Sequence, residues 1–245
     1  MAGHSKWKTI KHAKAATDAK RGAIFTKLIR EITVAAKGGG GDPDGNPRLR
    51  TAIDAARAQS MPKDNIDRAI KKGTGELEGV EYVDVTYEAY GPGGVALMIQ
   101  ALTDNPTRTV ADIRAKLSRN GGNLGTTGSV AFMFDRRGRL YLPAKGDDDA
   151  MMELALDAGA SDFAREDDTF AITTELAELH AVKDALVKKG LAISEAKIEW
   201  LPQSTVRVTG EDAKTLVKLL GVLDDLDDVQ NVEGNFDIDE SALDD

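Results

Sequence analysis

Near residue 80 of this 245-residue chain the apolar period drops from helical to two, and the elements beyond come in a nested order. First is a ββαβ run: Val83, Val85, Tyr87 and Ala89 face one way, with Asp84, Thr86 and Glu88 opposite. A Gly-Pro-Gly-Gly turn leads into the nearly all-apolar stretch 95–102, a central strand. A helix over 109–119 turns Val110, Ile113 and Leu117 inward, and a strand is expected over 129–134. This unit lacks a closing helix and strand. The next one does not. Strands over 139–142, 162–165, 169–173 and 193–200, with helices after Asp147–Asp149 and over 176–189, give βαββαβ, a complete ferredoxin-like order. The chain ends with a strand at 206–208, a helix opened by Thr209-x-x-Asp212, and a strand over 229–236. That strand–helix–strand tail cannot bury both faces alone. The expected division is one discontinuous α/β domain, 80–135 with 204–240, and an inserted ferredoxin-like domain, 136–203, followed by an acidic tail, 241–245.

Ahead of the switch the pattern is helical. Ile24, Phe25, Leu28, Ile29, Ile32, Ala35 and Ala36 form one stripe. Asn46-Pro47 is a cap residue followed by proline at the first helical position, ahead of Leu49, Ala52, Ile53 and Ala56. A third helix carries Ile66, Ala69 and Ile70 and is expected to stop at Lys71-Lys72-Gly73. The fold class is therefore α+β in three domains: an N-terminal three-helix bundle, 1–79, and two ferredoxin-like-type α/β domains, one inserted in the other.

Charge divides along the same line. Residues 1–75 hold 16 Lys and Arg against 7 Asp and Glu, and residues 76–245 hold 16 against 34, so a net of −9 conceals a cationic head on an anionic body. Such a head attracts polyanions, DNA or ribosomal RNA above all, and the body limits their approach. The first twenty residues show little apolar periodicity and read as a mobile arm or a loosely docked helix. Lys6, Lys8, Lys11, Lys14, Lys20 and Arg21 there surround Trp7, His4 and His12. Cations neutralise phosphates, and an indole or imidazole can stack on a base. The same indole can anchor the arm on the bundle. Lys27, Arg30, Arg48, Arg50, Lys71 and Lys72, with Arg57, Lys63 and Arg68, extend the positive field.

Other chemistries find less support. The chain has no cysteine, which removes disulfides, thiol nucleophiles and cysteine-bound metals and fits a reducing cytoplasm. The longest apolar run, 95–99, is too short to cross a bilayer. No apolar h-region follows Met1, and the head is lysine-rich rather than arginine-rich, so no secretory or transit peptide is expected. Gly121 to Ser129 invites a phosphate-loop reading but lacks the lysine and lies between a helix and a strand, the wrong order, so a tight glycine-demanding connection accounts for it better. Asp147–Asp149 and Asp224, Asp225, Asp227 and Asp228 lack the spacing of a calcium loop and read as capping and solvated residues. His180 has no metal-ligand spacing around it. No catalytic triad, HExxH motif or nucleotide fingerprint appears, so neither an enzyme, a cofactor, a metal nor a small-molecule substrate is expected.

Several long stretches, in order, carry a resemblance. GHSKWKTIKHAKAATDAKRGAIFTKLIREI, DPDGNPRLR, MPKDNIDRAIKKG, YEAYGPGGVA, TDNPTRT and NGGNLGTTGSVAFMF are similar to the signatures of the YebC/PmpR family, which includes the mitochondrial translational activator of cytochrome oxidase subunit I. The resemblance spans essentially the whole chain. It implies three α+β domains with a helical first domain, and a DNA-binding transcriptional regulator or a ribosome-associated factor that relieves stalled translation. The family's head corresponds to Gly3, His4, Ser5, Lys6, Trp7, Ile10, Lys11, Lys14, Asp18, Arg21 and Gly22. One departure follows Asn105, where many relatives have a basic residue and this chain has Pro106, leaving Arg108 as the local cation.

Overall fold

A computed structural model of the chain describes residues 18–238, with side chains from Gly22 onward. Helix α1 spans Asp18–Gly39, α2 Pro47–Ala58 and α3 Lys63–Thr74. The predicted stripes are the buried ones: Ile32, Ala35 and Ala36 on α1, Leu49, Ala52, Ile53 and Ala56 on α2, Ile66 and Ala69 on α3. Asn46 serves two helices. Its Oδ1 accepts the Leu49 N–H at 3.1 Å, and its Nδ2 donates to the Ala35 and Gly40 carbonyls at 2.7 and 2.8 Å. One buried amide thus caps the start of α2 and satisfies the end of α1.

The stop at Gly73 needs correction. Helix α3 runs through it and ends at Gly75, whose φ of 85° is the left-handed conformation of a C-cap. Gly73 is instead where α3 meets α1. A Cβ there would overlap the Thr33 carbonyl oxygen and lie 2.7 Å from the Ala36 Cβ. Gly73→Ala is expected to cost about 1–3 kcal/mol by forcing the helices apart, read as a lower urea midpoint; an unchanged midpoint would disprove the close approach.

The remaining elements are β1 Val83–Tyr90, β2 Ala96–Thr103, α4 Pro106–Arg119, β3 Asn123–Leu124, β4 Phe134–Pro143, α5 Asp148–Asp157, β5 Asp162–Glu166, β6 Thr169–Thr174, α6 Leu179–Lys188, β7 Glu195–Pro202, β8 Val206–Val208, α7 Gly210–Asp224, β9 Val229–Gly234 and β10 Phe236–Ile238. One sheet has the order β3-β1-β2-β9, another β5-β6-β4-β7, and β8 and β10 form a parallel pair. The first sheet therefore takes its strands from both sides of the second. All pairs in the second sheet are antiparallel, the arrangement of a ferredoxin-like unit.

Helices α4 and α7 cover one face of the first sheet with Ile113, Leu117, Leu216, Leu219, Leu220 and Leu223 against Leu97 and Ile99. The apolar face of the second sheet packs Leu140, Phe170 and Ile172 on Leu179, Val182 and Leu186 of α6. A smaller cluster, Ala96, Met98, Val130 and Phe134 with Trp200 against it, joins the two sheets. Among the described residues no helix is long and apolar enough to cross a membrane.

Two expected strands differ locally. Residues 129–134 are not a strand: Ala131–Met133 is a single 3-10 turn, and β4 begins at Phe134 and continues unbroken through Pro143. The edge partner of β1 is the short β3. The strand expected over 229–236 breaks at Asn235. That residue is fully buried; its Oδ1 accepts the Ala96 N–H at 2.8 Å and its carbonyl accepts the Val206 N–H at 2.7 Å, so the chain leaves one sheet for the other there.

Candidate nucleic-acid interface

The proposed contact residues divide into three groups. Lys6, Trp7, Lys8, Lys11, His12 and Lys14 lie outside the described residues; Lys20 and Arg21 fall on the first turn of α1, where only the backbone is described. A second group is engaged inside the protein. Lys27 Nζ donates to the Asp224 carbonyl at 2.6 Å, at the C-terminus of α7 where the helix dipole favours a cation. Arg30 Nη1 donates to Asp228 Oδ1 at 2.7 Å and to the carbonyls of Leu102 and Asp227. Its guanidinium also lies 5.3 Å from the Tyr82 ring centroid. Arg48 forks onto Glu31 at 2.7 and 3.2 Å and reaches Asp84 at 2.9 Å. Arg50 donates to the Pro43 and Asp44 carbonyls at 3.0 and 2.9 Å, holding the turn between α1 and α2. The positive ends of these four are thus held by carboxylates or carbonyls of the protein itself, for which a partner would have to compete.

The third group is open. Lys71 and Lys72 are exposed on the last turn of α3, with Arg68 one turn earlier and Lys63 at its start, both exposed as well. Burial of Ile66 and Ala69 turns these cations outward, and spacings of three and four residues align Arg68, Lys71 and Lys72. Phosphates are the natural complement of such a row. Asn65, three residues before Arg68, shares that side of the helix and is of the kind that can read an adenine edge.

Asp228, read from sequence as a solvated residue, is a hub. Besides Arg30 it receives Arg108 Nη2 at 2.8 Å and the Thr109 hydroxyl at 2.6 Å. Thr109, not Val110, is the inward residue of that helical turn. Burial pushes the Asp228 carboxyl up, but the hydrogen bonds from Arg108 and Thr109 and the charge of Arg30 outweigh it, and it sits below the usual carboxylate range. Pro106 occupies the first position of α4 behind the Asn105 cap, which explains why proline stands there. The Arg30–Asp228 contact joins residues 198 positions apart and has no local sequence signal.

Glu88 was also missed. Placed by alternation on the polar face of β1, it is nevertheless buried, and it accepts the N–H groups of Gly128 and Val130 at 2.6 Å each and of Ala131 at 2.9 Å. The glycine-rich loop thus has an anion slot, filled by the protein's own carboxylate. That is the physical ground against a phosphate there.

The other face of the second sheet carries a largely buried charged cluster that could be mistaken for a catalytic centre. Arg139 donates to Thr173 at 2.7 Å and Glu166 at 2.6 Å, Tyr141 donates to Glu199 at 2.7 Å, and Lys197 lies 3.1 Å from Glu199. Burial and the Glu199 charge hold the Tyr141 phenol far above its ordinary range. Each charge is paired within the cluster. Among the described residues no group of three or more His, Asp or Glu is placed to hold a metal ion.

Comparison with known proteins places this arrangement. The family model described as the TACO1/YebC protein N-terminal domain matches residues 5–76, and that of the TACO1/YebC second and third domain matches residues 82–236. A protein of Gemmatimonas aurantiaca named "Probable transcriptional regulatory protein" is 64% identical over 244 residues, 99% of each chain. One of Desulforapulum autotrophicum with the same description is 54% identical over 100% of this chain and 99% of its own length. A crystal structure of a conserved hypothetical protein from Aquifex aeolicus, 48% identical, superposes with a TM-score of 0.85 over 91% of this chain and 93% of that one. With two consecutive family models spanning the helical bundle and both sheets, the chain belongs to the TACO1/YebC family.

Proposed function

We propose that this protein is a nucleic-acid-binding regulator of gene expression that acts in the cytoplasm without catalysing a reaction, and specifically a DNA-binding transcriptional regulator. The observation that carries this reading is the open cationic row of α3, on a chain whose residues 1–21 are also basic in sequence and whose remainder is acidic. The names of its relatives support it. A second reading, a ribosome- or RNA-binding translation factor, draws on a specific feature: the exposed Lys63, Arg68, Lys71 and Lys72 are above all phosphate contacts, as suits recognition of shape and backbone. Crosslinking in cells with sequencing of the attached nucleic acid separates the two, promoter DNA marking the first and ribosomal RNA the second.

Binding is expected to weaken steeply with salt. If the head neutralises about five phosphates, log K falls against log salt with a slope near −4.5 on duplex DNA. Lys71→Ala with Lys72→Ala reduces that slope by about 2, roughly 1 per lysine, equally for every sequence tested. A flat titration by fluorescence anisotropy would exclude a phosphate-dominated mode.

A further inference from the structure

The bundle is held to the rest of the protein by charge. Its apolar cluster draws only on residues between Phe25 and Ile70, and the other clusters draw on none of these. Polar contacts make the junction instead. Lys27 of the bundle reaches the Asp224 carbonyl at 2.6 Å and its carboxylate at 3.5 Å, and Arg30 and Arg48 meet the carboxylates of Asp228 and Asp84 of the body. Lys183 meets Asp54 at 2.6 Å in the reverse sense, and Thr51 meets His180 at 3.5 Å. An intramolecular junction of this polar kind permits relative motion by default. The connection between α3 and β1, residues 75–82, has no regular structure and is mostly exposed. Extended, it reaches about 25 Å at roughly 3.3 Å per residue.

We propose that Asp84, Asp224 and Asp228 form an electrostatic latch that closes the basic bundle on the acidic body, and that a nucleic-acid backbone opens it by taking over Lys27, Arg30 and Arg48. This rests on the nucleic-acid reading above. Guanidinium and ammonium groups bind carboxylate and phosphate through the same donors, so the exchange replaces one anionic partner by another. A duplex offers a charge every 1.7 Å or so, a density the scattered carboxylates cannot match. Opening orphans none of the three carboxylates. Asp228 keeps Arg108, Thr103 and Thr109 from its own part of the chain. Asp84 is half-exposed and Asp224 lies at a helix end, so water reaches both. The body thereby competes with nucleic acid for the head, and short or weakly charged anions fail to open it.

The native chain has no cysteine, so single cysteines placed at the exposed Gln59 and Ser118 accept spin labels cleanly. The distance between the labels is measured on the full chain, alone and with a short mixed-sequence DNA duplex or a single-stranded RNA of equal length. At low salt the closed distance dominates, beside a minor longer population of roughly 10–30%. Saturating probe, or high salt alone, makes the longer population dominant. Asp84→Asn with Asp224→Asn makes it dominant without probe and binds about three- to tenfold tighter, the factor expected when an open state of roughly 10–30% becomes dominant. If that variant fails to fold, the salt series on the wild type stands in its place. Probe bound, by anisotropy in the same samples, with an unchanged distance overturns the latch and leaves the nucleic-acid reading intact. A distance insensitive to salt overturns it equally. Probe that binds neither wild type nor variant overturns both.

Discussion

Glu88→Ala lowers stability by about 2–4 kcal/mol, because three backbone N–H groups, that of Val130 buried and the other two part-buried, lose their carboxylate acceptor at once. The groups are those of Gly128, Val130 and Ala131, and the carboxylate that holds them is 7% exposed. Few domains have more than 5–15 kcal/mol to lose. Glu88→Gln falls between the two, since one amide oxygen can serve Val130 and Ala131 while the NH2 opposes Gly128. Denaturant melts give the size of the effect, and hydrogen exchange locates it: protection at these amides collapses while that of α2 holds. The sign with pH follows. Burial raises the Glu88 carboxyl, but the three backbone bonds outweigh it, so its folded value lies below its ordinary 4.5. Its contribution is fully present above about pH 4.5 and is lost as pH falls through the depressed folded value. The Ala variant therefore has a flatter acid limb. A loss under about 1 kcal/mol would mean that water replaces the carboxylate at little cost.

Removing residues 1–20 is expected to weaken nucleic-acid binding on the order of a hundredfold or more at moderate salt, with a melting temperature nearly unchanged. The deletion takes Lys6, Lys8, Lys11, Lys14 and Lys20 against Asp18 on the acidic side. It removes no described member of the apolar cluster, which begins at Phe25. Trp7→Ala alone costs about 1–3 kcal/mol of binding if the indole stacks on a base. If the indole anchors the arm instead, the binding loss shrinks and stability falls with it. Unchanged affinity in both variants moves the interface to Arg68, Lys71 and Lys72, or to the exposed Arg114 and Arg119 of α4; Arg108 is held by Asp104 and Asp228.

Local physics made much of the fold legible. The Asn46-Pro47 cap and the Leu49, Ala52, Ile53, Ala56 stripe depend on neighbours within a few positions, and both stand as read. So does the βαββαβ order of the second sheet. Errors arose where a distant partner decides. Gly73 looks like a helix stop until α1 lies against it. Glu88 alternates with apolar residues and falls on the polar face of β1; a loop forty residues later supplies its donors. Lys27 and Arg30 sit on the polar side of α1, and nothing in their surroundings announces carbonyls and carboxylates nearly two hundred positions away. At the candidate interface, net charge was readable, but which cations are already engaged was not.

The nested sheet has a consequence during synthesis. Strand β2 is almost wholly apolar and pairs with β1 as soon as both have emerged, yet its other edge waits for β9. The ribosome must make everything from residue 104 to 228 first, about 6–25 s at roughly 5–20 residues per second. Through that interval β2 is an open, sticky edge beside the translating machinery. The segment made meanwhile holds every strand of its own sheet and can close without waiting. The length of that insert therefore acts as a clock on the nascent chain, setting how long the unfinished sheet must be shielded.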